Sequence, residues 1–195
     1  MLGAVALTVL AGVMVLDERA DAAVGDDPYG PIPTNYVYEG LVFNDHNGDV
    51  EVTGYSEEPA GALSIPSSFI YGGHEYDVVS IGDNAFNGCS GLTSIDIPQT
   101  VTEIGQSAFR DCESLESVII PSSVTEIGMW AFYGCSSLTS ASILGTVSSI
   151  PSSLFRECAS LESVVIPDGV TAIGAYAFYN CGELSSVDIP DSVES

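Results

Sequence analysis

The five cysteines of the chain recur at intervals of 23 residues without an insertion or deletion. Phenylalanine, leucine, isoleucine and valine residues keep the same spacing, so each coil carries the same apolar pattern. An internal period of about 20–50 residues is typical of a solenoid, because one coil cannot bury its apolar face alone. The two columns that define the register are Cys89, Cys112, Cys135, Cys158 and Cys181, and Phe86, Phe109, Phe132, Phe155 and Phe178.

Each unit contains two extended pieces. Residues 92–97 alternate apolar and polar side chains, as a half-buried strand does, and Pro98 ends this strand. Residues 101–105 form a second extended piece, and Gly105 is predicted to adopt a left-handed turn. Ala108 and Phe109 are predicted to follow in a short helical turn. The sequence therefore predicts a β-rich solenoid of 23-residue coils with a parallel sheet and short helical turns over residues 81–195, with the last unit truncated.

The unit reads Ala-Phe-x-x-Cys-x-x-Leu-x-Ser-Ile/Val-x-Ile-Pro, and it resembles leucine-rich repeats of the BspA type, which are common in microbial cell-surface proteins. The resemblance implies a leucine-rich-repeat solenoid with an N-terminal cap, and buried cysteines that seal the core. The third repeat departs from the pattern, since Leu144 replaces Pro, Pro151 replaces Gly and Leu154 replaces Ala. An altered turn is expected near Pro151.

Residues 36–80 are predicted to form a β-hairpin cap with an incomplete first repeat. Residues 36–43 and 50–55 have the composition of strands, and Asn47-Gly48 between them is a strong hairpin signal. A second hairpin is expected to turn at Gly72-Gly73, and residues 63–66 resemble the strand of a repeat. A cap protects the strand edge that an open solenoid end exposes.

Residues 2–16 form an unbroken run of apolar or small side chains. A membrane span needs about 20 residues, so the run suits the apolar region of a signal peptide. Ala20 and Ala22 offer a cleavage site, and a buried core helix is the alternative. Residues 1–22 are therefore predicted to be a signal peptide or hydrophobic anchor, and 23–35 a linker. This predicts a secreted or cell-surface protein that meets a membrane only through the uncleaved segment.

The charges exclude several functions. The chain has 27 acidic residues against three arginines and no lysine, for a formal net charge of −24. Nucleic-acid binding is excluded because phosphate neutralisation needs clustered basic residues. Lysine-based catalysis is excluded as well.

No residue pattern indicates catalysis or a cofactor. The cysteines lack metal-site spacing, and their odd number prevents complete internal pairing, so buried free thiols are expected. His46 and His74 have no motif around them that indicates a metal or a nucleophile. Residues 45–51 have some ligands of a calcium loop, but a plain hairpin is favoured because Gly48 is misplaced. The chain is predicted not to be an enzyme.

The outward positions of the repeat strands are the predicted binding surface, on the concave face of the solenoid. Near-identical segments at 109–117 and 155–163, 46 residues apart, indicate either selection for binding or recent duplication. Ile119 and Val165 stand at positions where alternation predicts exposure, so they are candidate apolar contacts with a polar rim. The candidate binding residues are Glu116, Ile119, Thr139, Ser142, Glu162 and Val165.

These observations favour a scaffold for protein–protein interaction or adhesion, with a protein or a surface glycan as the partner. Two alternatives stay open. The first is that the chain is a non-binding structural fragment of a longer surface array. The second is that it is a β-helix polysaccharide-active enzyme, and the scarcity of basic residues argues against this second alternative. Self-association through an uncapped C-terminal edge is a further expectation, because residues 193–195 begin a sixth unit.

Overall fold

The computed structural model describes residues 31–195, and all the regular elements in this part are β-strands. The predicted signal peptide or anchor, 1–22, and residues 23–30 of the predicted linker lie outside the described residues. The strands are β1 (Tyr36–Tyr38), β2 (Leu41–His46), β3 (Asp49–Tyr55), β4 (Gly61–Ser64), β5 (Ser68–Tyr71), β6 (His74–Ile81), β7 (Leu92–Asp96), β8 (Glu103–Ile104), β9 (Ser117–Ile120), β10 (Glu126–Ile127), β11 (Ser140–Ile143), β12 (Ser149–Ile150), β13 (Ser163–Val165) and β14 (Ala172–Ile173).

One parallel sheet, in the order β13-β11-β9-β7-β4, contains the strands of the first four repeats and β4 of the cap, whereas residues 184–189 of the fifth repeat form no strand. Its register pairs residues 23 positions apart, since Ser117 lies opposite both Ser94 and Ser140, and Ser140 lies opposite Ser163. Each of these four coils therefore adds one strand to the sheet at the same position. Its outward surface is called the strand face below.

A second ladder of short parallel strands contains β6, β8 and β10, and β12 pairs separately with β14. The break follows from Pro151, which has no N–H to donate to the Ile127 carbonyl. The prediction of an altered turn without a break near Pro151 is therefore wrong, because Ser153 keeps the φ of 57° found at equivalent turn positions while the ladder is interrupted. In the other coils a glycine at this position donates to the preceding coil at 2.7 Å, Gly105 to Ile81, Gly128 to Ile104 and Gly174 to Ile150.

The predicted short helical turns are not helices. Alternate N–H groups bond to the neighbouring coil, as Phe109 does to the Ala131 carbonyl at 2.8 Å. Ser107 and Asp111 have φ values of 55° and 56°, which a right-handed helix does not allow. The prediction for Gly105 is also wrong, because its φ is not left-handed; a Cβ there would lie 2.6 Å from the backbone nitrogen of Asp83. Close approach of adjacent coils is what requires this glycine.

The core is built from columns of identical side chains. The rings of the phenylalanine column stack with centroids 5.2–6.0 Å apart and within 19° of parallel. Each cysteine from Cys112 to Cys181 donates its thiol to the phenylalanine carbonyl of an earlier coil at 3.1–3.2 Å. Burying each such ring contributes roughly 1.5–3 kcal/mol, so the stack is a main source of stability.

The cap contains three antiparallel strand pairs and the single strand β4. The strand predicted over residues 36–43 is interrupted at Glu39-Gly40, where the chain turns back so that β1 pairs with β2. The hairpin of β2 and β3 turns at Asn47-Gly48, and that of β5 and β6 turns at Gly72-Gly73. β4 joins the strand sheet and β6 joins the second ladder, so both ladders begin in the cap. Ile32, within the predicted linker, is buried.

Candidate binding surface

Ile119 and Val165 are exposed on the strand face although both are β-branched apolar residues. They are 62% and 54% exposed, whereas the adjacent Val118 and Val164 are buried. This follows from the alternation of side chains along a strand. Ser142 lies opposite Ile119 on one side and Val165 on the other, so the three residues form one continuous row across β9, β11 and β13.

A second row lies just before the same three strands. Thr139 donates its N–H to the Glu116 carbonyl at 2.9 Å, and Glu162 donates to the Thr139 carbonyl at the same distance. The Thr139 hydroxyl donates to the Glu116 carbonyl at 3.0 Å. The two carboxylates lie two coils apart, about 10 Å, so Thr139 separates them. The structure thus places the six predicted residues together as two parallel rows of three.

An open hollow beside Ile119 was not predicted from the sequence. β7 and β9 pair only at Ser94 and Ser117, and the strands separate beyond this point. The resulting cavity has a volume of about 240 Å³. Asp96 lines it and accepts a hydrogen bond from the Ser64 hydroxyl at 3.2 Å. Periodicity alone cannot reveal the hollow, because it depends on a local loss of pairing between two otherwise equivalent strands.

The possible calcium loop at residues 45–51 and the histidine His74 both have contacts typical of structural residues. Asn47 and Gly48 have φ values of 58° and 95°, so residues 45–51 form a tight hairpin rather than a calcium loop. The His74 ring packs edge-on against Tyr76 with centroids 4.5 Å apart. Within residues 31–195, no group of three or more histidine, cysteine or acidic residues could hold a metal ion. The same part of the chain contains no helix capable of crossing a membrane.

The cysteines are free, and none has the character of a nucleophile. All but Cys181 are buried, and Cys181 is half-buried. Burial raises the pKa of the Cys112 and Cys181 thiols to about 12. A thiolate is needed for nucleophilic attack or metal binding, so these side chains act as core-filling residues.

Known proteins match both the repeats and the fold. The description of the matching family is BspA type leucine rich repeat region, and six copies cover residues 79–195. The chain belongs to this family. The matched residues include all five of the 23-residue coils. No curated protein matches the chain.

Solved structures of bacterial leucine-rich repeat proteins are similar to this BspA-type chain. A leucine rich cell surface protein from Faecalibacterium prausnitzii is 30% identical with a TM-score of 0.59, over 84% of this chain and 56% of that one. A leucine-rich repeat protein from Eubacterium ventriosum, 24% identical with a TM-score of 0.64, shares the fold over 82% of this chain and 47% of its own length. One from Bacteroides ovatus is 30% identical with a TM-score of 0.43, over 82% and 54%. The chain spans about half the length of these proteins.

Proposed function

We propose that this BspA-type chain is a secreted or cell-surface scaffold that binds a protein partner through the strand face. The observation that carries the proposal is the exposed pair Ile119 and Val165, which flank Ser142 in one row. The corresponding positions of flanking coils are polar, as at Asp96 and Asp188, so the apolar centre is local. A small apolar centre within a polar rim is typical of a modest protein interface.

The charges indicate the chemistry of the partner. Glu116 and Glu162 are exposed beside the apolar row, and the chain has a net charge of −24. A partner with an apolar side chain at its centre and Lys or Arg around it complements this surface. A protein is favoured over a surface glycan because the two rows contain no aromatic ring on which a sugar could stack. Binding should weaken as NaCl increases, because salt screens the exposed carboxylates.

Two observations support a surface location and a non-enzymatic role. The similar protein from Faecalibacterium prausnitzii is named a cell surface protein, and residues 2–16 have the composition of a signal-peptide core. The matched proteins are named leucine-rich repeat proteins, not enzymes. A display scaffold outside the cell is the function consistent with both.

The test is the double variant Ile119→Asp with Val165→Asp. Both side chains point to solvent, so the variant should stay folded, with the circular dichroism of the original chain and a melting temperature matching that of the control variant below. Loss of an apolar hot spot costs about 2 kcal/mol or more, so partner affinity should fall roughly 30-fold. Immobilised chain is incubated with cell-surface protein extracts, and each recovered partner is then purified and titrated by biolayer interferometry.

A matched control is Val37→Asp with Ile70→Asp, which adds the same charge at exposed apolar positions of the cap, away from the two rows. The control should bind as the original chain does. A folded Ile119→Asp, Val165→Asp variant that binds every partner with unchanged affinity contradicts the proposal. Loss of glycan binding without any protein partner would assign the surface to a glycan instead.

A further inference from the structure

From residue 106 onward, the turns between the second ladder and the strand sheet alternate between polar and aromatic composition. We call their outer surface the turn face, formed by residues 83–88, 106–111, 129–134, 152–157 and 175–180. The second and fifth positions of each turn are polar in the first two turns and then alternate between aromatic and polar, so the two aromatic turns are two coils apart. In chain order the pairs are Asn84 and Asn87, Ser107 and Arg110, Trp130 and Tyr133, Ser153 and Arg156, and Tyr176 and Tyr179. Coils about 4.8 Å apart give this surface a period of about 10 Å.

The backbone does not favour the aromatic residues at the second turn position. This position is left-handed in every coil, with φ between 55° and 61°. Asn is well suited to this conformation and Ser is small, but bulky side chains are disfavoured there. Trp130 and Tyr176 nevertheless occupy it, and Tyr176 is 62% exposed. Core packing therefore does not explain Tyr176, and strained exposed residues are characteristic of binding sites.

Arginines join the aromatic pairs into one patch. The Arg156 guanidinium lies 5.1 Å from the Tyr179 ring, 5.6 Å from Tyr176 and 5.8 Å from Tyr133. The Arg110 guanidinium lies 4.7 Å from the centre of the Tyr133 ring, so both arginines contact this tyrosine. About a third of the Arg156 side chain is exposed, which leaves guanidinium N–H groups to donate to a ligand.

The patch is also electrically balanced on a strongly acidic chain. Within residues 31–195, Arg110 and Arg156 are the only arginines and there is no lysine, and both arginines lie in this patch. Each has an acidic neighbour, with Arg110 Nε 3.2 Å from Asp111 and Arg156 Nε 3.6 Å from Glu157. A polyanion gains no net attraction from such a surface, and the patch suits an uncharged ligand.

The geometry points to a binding site on the turn face for a proline-rich segment in the polyproline II conformation. Polyproline II repeats about every 9 Å, three residues at about 3.1 Å each, which matches the two-coil period of about 10 Å. Proline rings dock between aromatic side chains, and the unpaired carbonyls of such a segment accept hydrogen bonds from Arg and Tyr donors. The site is separate from the strand face and does not depend on the function proposed for it.

The test is fluorescence anisotropy of labelled decaproline titrated with the full chain. Saturable binding is expected, with no binding of a glycine–serine peptide of the same length and little change between low and moderate NaCl. The variant Tyr176→Asn with Tyr179→Asn should bind at least tenfold more weakly. The variant should stay folded, because Asn at position 176 relieves the left-handed strain while the lost ring contacts lie at the surface. The Ile119→Asp, Val165→Asp variant should bind decaproline normally.

Three results would overturn the proposal. The first is the absence of saturable decaproline binding, and the second is unchanged binding in the folded Tyr176→Asn, Tyr179→Asn variant. The third is a site that binds cellohexaose but not decaproline, which would make the turn face a glycan site. Because the strand-face variant serves as the control, loss of one site is distinguishable from loss of the other.

Discussion

Gly105→Ala tests whether close coil-to-coil approach sets the glycine positions of the repeat. A Cβ on Gly105 would lie 2.6 Å from the Asp83 nitrogen and 2.7 Å from the Gly82 carbonyl carbon. Both atoms belong to the backbone of the preceding coil, so no side-chain rotation relieves the overlap. Separating the coils would break the 2.7 Å hydrogen bond from Gly105 N–H to the Ile81 carbonyl.

Two costs combine in this variant. Overpacking costs about 1–3 kcal/mol, and loss of the hydrogen bond costs about 0.5–1.5 kcal/mol, so the free energy of unfolding should fall by roughly 2–4 kcal/mol. At about 2–4 °C per kcal/mol for a chain of this size, the melting temperature should fall by roughly 5–15 °C. Circular dichroism melts of the purified chain measure the change.

Gly182→Ala is the matched control, since its nearest atom is the Ala159 oxygen at 3.6 Å and its φ is not left-handed. It should be neutral or stabilising by up to about 1 kcal/mol. Gly105→Asn separates the two explanations, because Asn suits a left-handed turn but still carries a Cβ. If Gly105→Asn melts like the original chain while Gly105→Ala does not, conformation rather than close approach is decisive. A shift of about 2 °C corresponds to less than about 1 kcal/mol for a chain of this size. A Gly105→Ala variant that melts within about 2 °C of the original chain therefore refutes the reasoning.

Three further predictions concern the thiols and the net charge. The pKa of the Cys112 and Cys181 thiols is raised from 9.0 to about 12, so above pH 9 these thiols ionise in the unfolded chain first. Their stabilising contribution is complete below that pH, and the melting temperature should fall as pH rises toward 12; a flat profile contradicts this. Five thiols should titrate after denaturation without reductant, and two or more disulfides by mass spectrometry would contradict that. At a net charge of −24 the melting temperature should rise between low and moderate NaCl, because salt screens self-repulsion; an unchanged or lower value refutes this.

The period of 23 residues is sufficient to predict the register of the repeats. It places Ser94, Ser117 and Ser140 opposite one another and predicts the exposure of Ile119. The break at Pro151 was not predicted, because the sequence does not show that the N–H at this position bonds to the preceding coil.

Features that depend on contacts between coils could not be predicted in the same way. A glycine column is compatible with either a left-handed turn or close approach, and only the position of Asp83 relative to Gly105 decides between them. The turn face was missed for a similar reason. The 46-residue alternation is visible at Arg110 and Arg156, but the left-handed φ of Tyr176 appears only in the structure.

Site-specific photocrosslinking from the centre of the apolar row tests the central claim most directly. Ser142→p-benzoylphenylalanine places the probe between Ile119 and Val165, and Thr146→p-benzoylphenylalanine is an exposed control outside the strands of the same coil. Irradiation with cell-surface proteins should give a discrete crosslinked partner from position 142 and not from 146, and excess unlabelled chain should compete it away. Crosslinks of equal yield from both positions, or none from 142 with a purified partner that binds the chain, would contradict a protein-binding strand face.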